Sequence, residues 1–129
     1  MDSEVVVSAF QDDSLGSDDA IVIAEKIQKG ELDAKTVTRD AIRRAELVNP
    51  KLNAITEENF DFAQANSEKT FSGFFQGVPT FIKDTDEVPG LPLYLGSRSL
   101  PGEPSEKFSK AAKQIIDTGL NCLGTTTTP

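Results

Sequence analysis

The chain has 129 residues, with 13 Lys and Arg against 21 Asp and Glu, for a formal net charge of −8. This length suits one domain, and an acidic chain with scattered basic residues is a poor partner for nucleic acid. The absence of His excludes Ser-His-Asp and Cys-His catalytic groups and His-ligated zinc within this chain. The single Cys122 cannot form an internal disulfide, and no apolar run approaches the length of a membrane span. We therefore expect a cytosolic protein with no metal and no membrane or nucleic-acid partner.

The first half of the chain predicts helices. Residues 1–17 show no sustained period and predict a loosely ordered lead-in, whereas the residues from 18 to 129 predict one domain. Capping residues at Ser17 to Asp19 precede an apolar period that predicts a helix over 19–29, which ends at Gly30. A second amphipathic helix is predicted from Asp33 or Ala34 to Asn49-Pro50, because the residue before a proline disfavours helix.

The middle of the chain predicts shorter elements. A weak alternation predicts a short strand over 52–57, and a third helix is predicted over 59–70. The apolar run from Gly77 to Asp84 predicts a strand that is buried on both faces, as in a parallel sheet. Repeated glycine and proline then predict an irregular but ordered loop over 84–104. Its apolar anchors are expected to be Leu91, Leu93, Tyr94 and Leu95.

The last elements determine the fold class. Helical spacing returns over 105–118, and Asn121 to Gly124 predicts a second short buried strand. A strand, a loop, a helix and a further strand form a βαβ crossover, in which the two strands are parallel neighbours. The class is therefore α/β, with a helical N-terminal region followed by the strands of a mixed or parallel core sheet.

Lys83 is the candidate catalytic residue on position alone. It follows Phe81-Ile82 at the carboxyl end of a predicted strand, and ligands bind at that edge of open α/β sheets. A partly desolvated lysine loses its preference for the charged form and can act as a base near neutral pH. The alternative is that Lys83-Asp84 is a solvated junction between strand and loop.

Other reactive side chains have structural explanations. Cys122 lies between apolar residues with no His to activate it, so we expect a packing residue. The acidic pairs Asp12-Asp13 and Asp18-Asp19 are expected to be solvated, with Asp18 or Asp19 at a helix N-terminus. The sequence Asp84-Thr85-Asp86 is not followed by the further oxygen ligands that a calcium loop requires.

Three stretches, in this order, resemble the amidase signature family. The first combines residues 30–32 with 49–54, the second runs from Gly77 to Asp84 and continues to Gly96-Ser97, and the third covers residues 119–129. The second stretch is similar to the segment that holds the catalytic lysine of the family. Thr125 stands where the family usually has lysine. The resemblance identifies residues 18–129 as the N-terminal portion of a single amidase domain.

The resemblance implies hydrolysis of a carboxamide to an acid and ammonia or an amine, without a metal or organic cofactor. In a Ser-Ser-Lys mechanism, neutral Lys83 would take a proton through a bridging serine while a second serine attacks the amide carbonyl. The family's glycine- and serine-rich segment, which supplies both serines and the oxyanion-hole amides, does not occur in these residues. The chain alone is therefore expected to be inactive, with Asp84 orienting the loop.

Three functions remain open at this stage. The chain is part of an amide hydrolase with a small-molecule amide substrate, or a non-catalytic acidic interaction module such as a truncated gene product. Within the family, it is alternatively the amidase subunit of a tRNA-dependent amidotransferase. An α/β sheet that lacks its remaining strands has an uncovered edge, so self-association through that edge is also expected.

Overall fold

The structure is a computed structural model that describes residues 6–129. The first five residues of the predicted lead-in lie outside this range. The described chain folds into four helices and three strands. In chain order these are α1 (Ala20–Gln28), α2 (Ala34–Leu52), β1 (Ile55–Glu58), α3 (Phe60–Asn66), β2 (Pro79–Lys83), α4 (Lys110–Ile116) and β3 (Asn121–Thr126).

Aspartate caps begin the first two helices, as the sequence predicts. The Asp19 side chain accepts a hydrogen bond from the backbone N–H of Val22 at 3.0 Å, and Asp33 accepts one from Thr36 at 2.8 Å. Each carboxylate satisfies a donor that has no partner within the helix and places a negative charge at the positive end of the helix dipole.

Helix α2 runs past the proline at which the sequence predicts its end. Pro50 lies within the last turn, and the helix continues to Leu52 and closes on Asn53, which adopts a left-handed conformation with φ 48°. The missing N–H of Pro50 removes only one hydrogen bond, from the last turn of the helix. The Asn49 side chain then accepts the N–H groups of Ala54 and Ile55, at 2.9 and 3.0 Å, and stabilises this end.

Two other helices are shorter than predicted. Helix α3 ends at Asn66, and the Ser67 hydroxyl donates to the Gln64 carbonyl in the turn that follows. Helix α4 begins after Ser109 and not at Ser105. The backbone of Ser105 is already bound, because its N–H donates to the carbonyl of Leu91 and its own carbonyl accepts from Gly90. Ser105 therefore belongs to the preceding loop.

The three strands form a mixed sheet in the order β1-β3-β2. Strands β2 and β3 are parallel, with Pro79 opposite Asn121 and Lys83 opposite Thr126, which confirms the predicted βαβ arrangement. Strand β1 pairs with β3 in the antiparallel sense. The expectation that β2 is buried on both faces is wrong: only Ile82 is buried, because β2 is an edge of the described sheet. The central strand β3 is buried at five of its six positions.

Helices cover both faces of the sheet. On one face, Ile42 of α2 and Ala63 of α3 pack on Leu123 of β3, with Phe81 of β2 against this cluster. On the other face, Ala112 of α4 packs with residues of β2, β3 and the long loop, namely Ile82, Val88, Leu91 and Cys122. The sheet is thus the middle of three layers, and the helices leave the ends of its strands uncovered.

A buried amide joins the central strand to α2 and α3. The Asn121 side chain is fully buried and donates to the Thr38 hydroxyl at 3.2 Å and to the Ala63 carbonyl at 2.9 Å. Its oxygen accepts from the Asn66 side chain at 3.1 Å. Buried polar groups are stabilising only when they are paired in this way, so this network favours one position of β3.

Part of the predicted lead-in is held firmly on α2. Arg44 forms two hydrogen bonds with the Asp13 carboxylate and a third with the Gly16 carbonyl. The buried Asp40 accepts both the backbone N–H and the hydroxyl of Ser14. Leu15, between these polar contacts, is buried in the cluster formed by α1 and α2. Residues 13–16, which we call the N-terminal strap, are therefore part of the folded domain.

In the part of the chain that the structure describes, no helix is both long enough and apolar enough to cross a membrane.

Candidate active site

The carboxyl ends of β2 and β3 lie side by side at one end of the sheet, which we call its carboxyl edge. Lys83 is paired with Thr126, and the backbone N–H of the next residue, Asp84, donates to the Thr126 carbonyl at 2.8 Å. Because β1 is antiparallel to β3, β1 begins at this same edge, with Ile55 opposite Thr126. Ligands of open α/β sheets bind beyond the carboxyl ends of parallel strands, so this edge is the candidate site.

Lys83 is the last residue of β2, and its side chain is exposed. Alternation along the strand places it on the same face as Phe81, which packs toward α2 and α3. Among residues 6–129, no side-chain hydrogen bond or ion pair involves the Lys83 ammonium group. The described residues therefore do not supply the partial desolvation that the sequence-based hypothesis assigns to this lysine.

Asp84 differs sharply from its neighbour. It is only 1% exposed, and one carboxylate oxygen accepts the backbone N–H of Tyr94 at 3.0 Å. The second oxygen accepts the N–H of Gly96 through a longer contact of 3.5 Å. A single residue at the end of β2 thus holds two backbone positions of the loop that follows.

The loop after Asp84 is irregular but ordered, as predicted. Its two arms meet at isolated bridges between Pro89 and Ser105 and between Pro92 and Pro104. The prediction of its apolar anchors is confirmed for Leu91, which is 7% exposed, and wrong for Leu95, which is 52% exposed. Leu95 lies in a turn with φ 50°, which directs its side chain away from the core. Val88, which the sequence does not single out, is an anchor at 4% exposure.

A cavity of about 620 Å³ lies at this edge, with Asp84 in its wall. Its other lining residues come from the start of β1, the long loop and the residues after β3. They include Asn53, Thr56, Tyr94, Ser97, Arg98 and Thr127. No local pattern joins these residues in the sequence, because only the antiparallel placement of β1 and the fold of the loop bring them together.

Cys122 and Asp19 have the structural positions that the sequence predicts, whereas the expectation that Asp13 is solvated is wrong, because its carboxylate is paired with Arg44. Cys122 is buried against Ile82, and burial raises the pKa of its thiol, as expected for a packing residue. Asp19 caps α1, and the Asp18 carboxylate pairs with Lys26. Thr125 is buried at 1% exposure, and its hydroxyl has no hydrogen-bond partner in the described part of the chain.

Comparisons with known proteins identify the family. A family model described as Amidase matches residues 36–129. A Mycobacterium bovis protein named "Putative amidase AmiC" is 40% identical over 122 residues, covering 93% of this chain and 26% of that protein. A glutamyl-tRNA(Gln) amidotransferase subunit of Bdellovibrio bacteriovorus is 31% identical over 111 residues, covering 79% of this chain and 22% of that protein. A solved structure of 6-aminohexanoate cyclic dimer hydrolase matches with a TM-score of 0.79 at 28% identity, over 96% of this chain and 25% of that chain.

The three-layer α/β fold is similar to part of the 6-aminohexanoate cyclic dimer hydrolase chain. The chain belongs to the amidase signature family. It spans about a quarter of the length of the curated relatives that it matches.

Proposed function

We propose that this chain is part of an amidase, which hydrolyses the C–N bond of a small-molecule carboxamide, and that Lys83 is its general base. The observation that carries the proposal is the position of Lys83 at the carboxyl end of a parallel strand, one residue before Asp84 of the cavity wall, in a member of the amidase signature family. A lysine can perform this proton transfer when its surroundings favour the neutral form.

In the proposed mechanism, neutral Lys83 accepts a proton through a bridging serine. A second serine thereby becomes nucleophilic and attacks the amide carbonyl, and the departing ammonia or amine receives the proton. The acyl group remains on the second serine until water hydrolyses it. Both serines and the oxyanion-hole donors belong to a segment that these residues do not contain. A metal or organic cofactor is not part of the mechanism.

The mechanism requires that Lys83 lose solvent. A lysine that acts as a general base must be in its neutral form, and burial favours that form. Lys83 is exposed in this chain. We therefore expect the serine-containing segment or the bound amide to cover it, so that base and nucleophile become competent together.

The test uses a longer form of the protein that carries the downstream serine segment, assayed for ammonia release from simple carboxamides such as benzamide and propionamide. We expect Lys83→Ala to lower turnover by at least ~10², the usual range for loss of a general base. Lys83→Arg should be nearly as damaging, because an arginine stays protonated and cannot accept a proton. Lys107→Ala, at another exposed lysine, should retain full activity.

The chain of 129 residues should show no hydrolysis and no labelling by a serine-directed phosphonate, whereas the longer protein should show both. Labelling of the short chain would reveal a nucleophile outside the proposed mechanism. A longer protein that tolerates Lys83→Ala would leave Lys83 as a solvated residue at the end of a strand.

A second candidate function is the amidase component of a tRNA-dependent amidotransferase, favoured by the 31% identity to the Bdellovibrio protein. Such an enzyme would use glutamine as its ammonia source and would need further protein components. Glutamine hydrolysis that depends on those added components distinguishes it from a free-standing amidase. The non-catalytic acidic module is favoured instead if the longer protein lacks the serine segment.

A further inference from the structure

We infer that Asp84 is a positioning residue for the amide site, because its carboxylate fixes the Tyr94–Ser97 segment of the long loop as a wall of the edge cavity. The inference rests on the proposed function and extends it to a residue beyond Lys83. The carboxylate is 1% exposed, directly follows Lys83, and accepts the backbone N–H groups of Tyr94 and Gly96.

The tip of the loop is held by Asp84 and by two close approaches, of Gly96 to Thr128 and of Tyr94 to Gly102. The bridges of Pro89 with Ser105 and of Pro92 with Pro104 hold the base of the loop. Beyond Pro92, Leu95 is exposed and Tyr94 is half-buried. The two N–H groups bound by Asp84 therefore tie the tip to the sheet.

The face of the strand on which Asp84 lies indicates that it forms part of the cavity wall and does not take part in the proton transfer. Ile82, two residues before Asp84, packs toward α4, whereas Phe81, two residues before Lys83, packs toward α2 and α3. Alternation along the strand thus directs the two neighbouring side chains to opposite faces. Tyr94, Gly96 and Ser97 line the cavity together with Asp84. Loss of the carboxylate should release this wall and leave Lys83 chemically unchanged.

The first arm of the test needs no activity. In Asp84→Asn the side chain keeps its size but retains a single acceptor, so its amide N–H₂ opposes one of the two loop N–H groups. Hydrogen exchange of the Tyr94 or Gly96 amide in the full chain should then accelerate by at least about tenfold. Unchanged protection of both amides would overturn the inference.

Asp40→Asn is the matched control. Asp40 is also buried, at 6% exposure, and also accepts a backbone N–H, that of Ser14 in the N-terminal strap. This variant should accelerate exchange at Ser14 and leave Tyr94 and Gly96 protected. Equal acceleration at the loop in both variants would mean general loss of stability and would contradict a specific role for Asp84.

The second arm uses the longer protein and the carboxamide that it hydrolyses fastest. Asp84→Asn should raise KM about tenfold, change kcat less than about threefold and leave the pH dependence of kcat in place. A fall in kcat at unchanged KM would overturn the assignment to the wall and place Asp84 with the proton transfer. If the longer protein hydrolyses no amide, the proposed function fails, and the exchange arm still decides whether Asp84 holds the loop.

Discussion

Lys83 and Asp84 show how two successive residues at the end of one strand acquire different environments. Both carry an ionisable group, but the first is exposed and the second is almost completely buried. Successive side chains of a strand point to opposite faces, so the Lys83 side chain points toward solvent and the Asp84 side chain lies beneath the loop. A general base needs access to the reacting atoms, whereas a positioning carboxylate needs fixed partners.

The sheet leaves no room for a side chain at Gly124. It lies in β3 with φ 149°, and a Cβ atom there would collide with the carbonyl oxygen of Glu57 in β1. We expect Gly124→Ala to lower the free energy of unfolding by at least about 2 kcal/mol, because both the backbone conformation and the contact with β1 are strained. Urea denaturation of the chain measures this loss.

Gly30→Ala is the matched control for Gly124. Gly30 also has a positive φ, of 74°, but no atom lies within 4 Å of its added Cβ. Its substitution should therefore cost only the conformational term, about 1 kcal/mol. Equal losses at the two glycines would show that the close approach of β1 does not contribute to stability.

At the scale of elements, the N-terminal strap and α2 form a unit that depends on charge. The ion pair and hydrogen bonds with Arg44 hold the pKa of Asp13 below its ordinary value. Burial acts to raise the pKa of Asp40, but the hydrogen bonds from Ser14 and the contact with Arg39 outweigh it, so this pKa is also lowered. Both carboxylates are therefore more acidic in the folded state than in the unfolded chain.

We therefore expect the contribution of the strap to the stability of the fold to be lost in acid. A carboxyl group with a lowered pKa contributes stability above its unfolded pKa, near 3.9, and this contribution disappears as the pH falls through the folded pKa. Between pH 6 and about pH 2, we expect the wild-type chain to lose about 1–2 kcal/mol more than Asp13→Asn, which lacks this contribution throughout. Urea denaturation at a series of pH values provides the comparison.

The exposed neighbour Asp12 supplies the control for the strap. Asp12→Asn should show the same pH dependence of unfolding as the wild type, because this side chain is not part of the contacts with Arg44. If Asp13→Asn loses stability in acid as steeply as the wild type, the lowered pKa of Asp13 does not stabilise the strap.

At the scale of the whole molecule, β2 leaves one edge of the described sheet unpaired. The Val78 carbonyl and the Asp84 N–H bind β3, so by the alternation of the backbone the N–H and carbonyl of Phe81 point outward. Such an edge can pair with another strand. We propose that it mediates self-association of the 129-residue chain.

The short chain should therefore form concentration-dependent oligomers, or bind a hydrophobic dye, more than the longer protein does. Sedimentation velocity over a wide concentration range, with dye fluorescence in parallel, compares the two. A short chain that stays a compact monomer and binds no dye would contradict the role of this edge.

The sequence by itself determined the elements that depend on neighbouring residues. Asp19 and Asp33 cap helices because capping needs a carboxylate within three residues of a free N–H. The parallel pairing of β2 and β3, and the position of Lys83 at the end of β2, follow from a strand-helix-strand order in which the connection must cross the sheet. The family was also accessible, because its motifs are local stretches of sequence.

Only the tertiary structure decided which residues meet across the chain. Asp13 reaches Arg44 across 31 residues, and Tyr94 reaches Asp84 across 10. No periodicity records such contacts, so the strap could not be predicted from pattern, and the resemblance indicated that Asp84 orients the loop but not that it binds Tyr94 and Gly96. The late start of α4 was decided by the hydrogen bonds of Ser105 to Gly90 and Leu91, whereas α2 continues past Pro50 to an end that is closed locally by hydrogen bonds from residues 53–55 to Asn49.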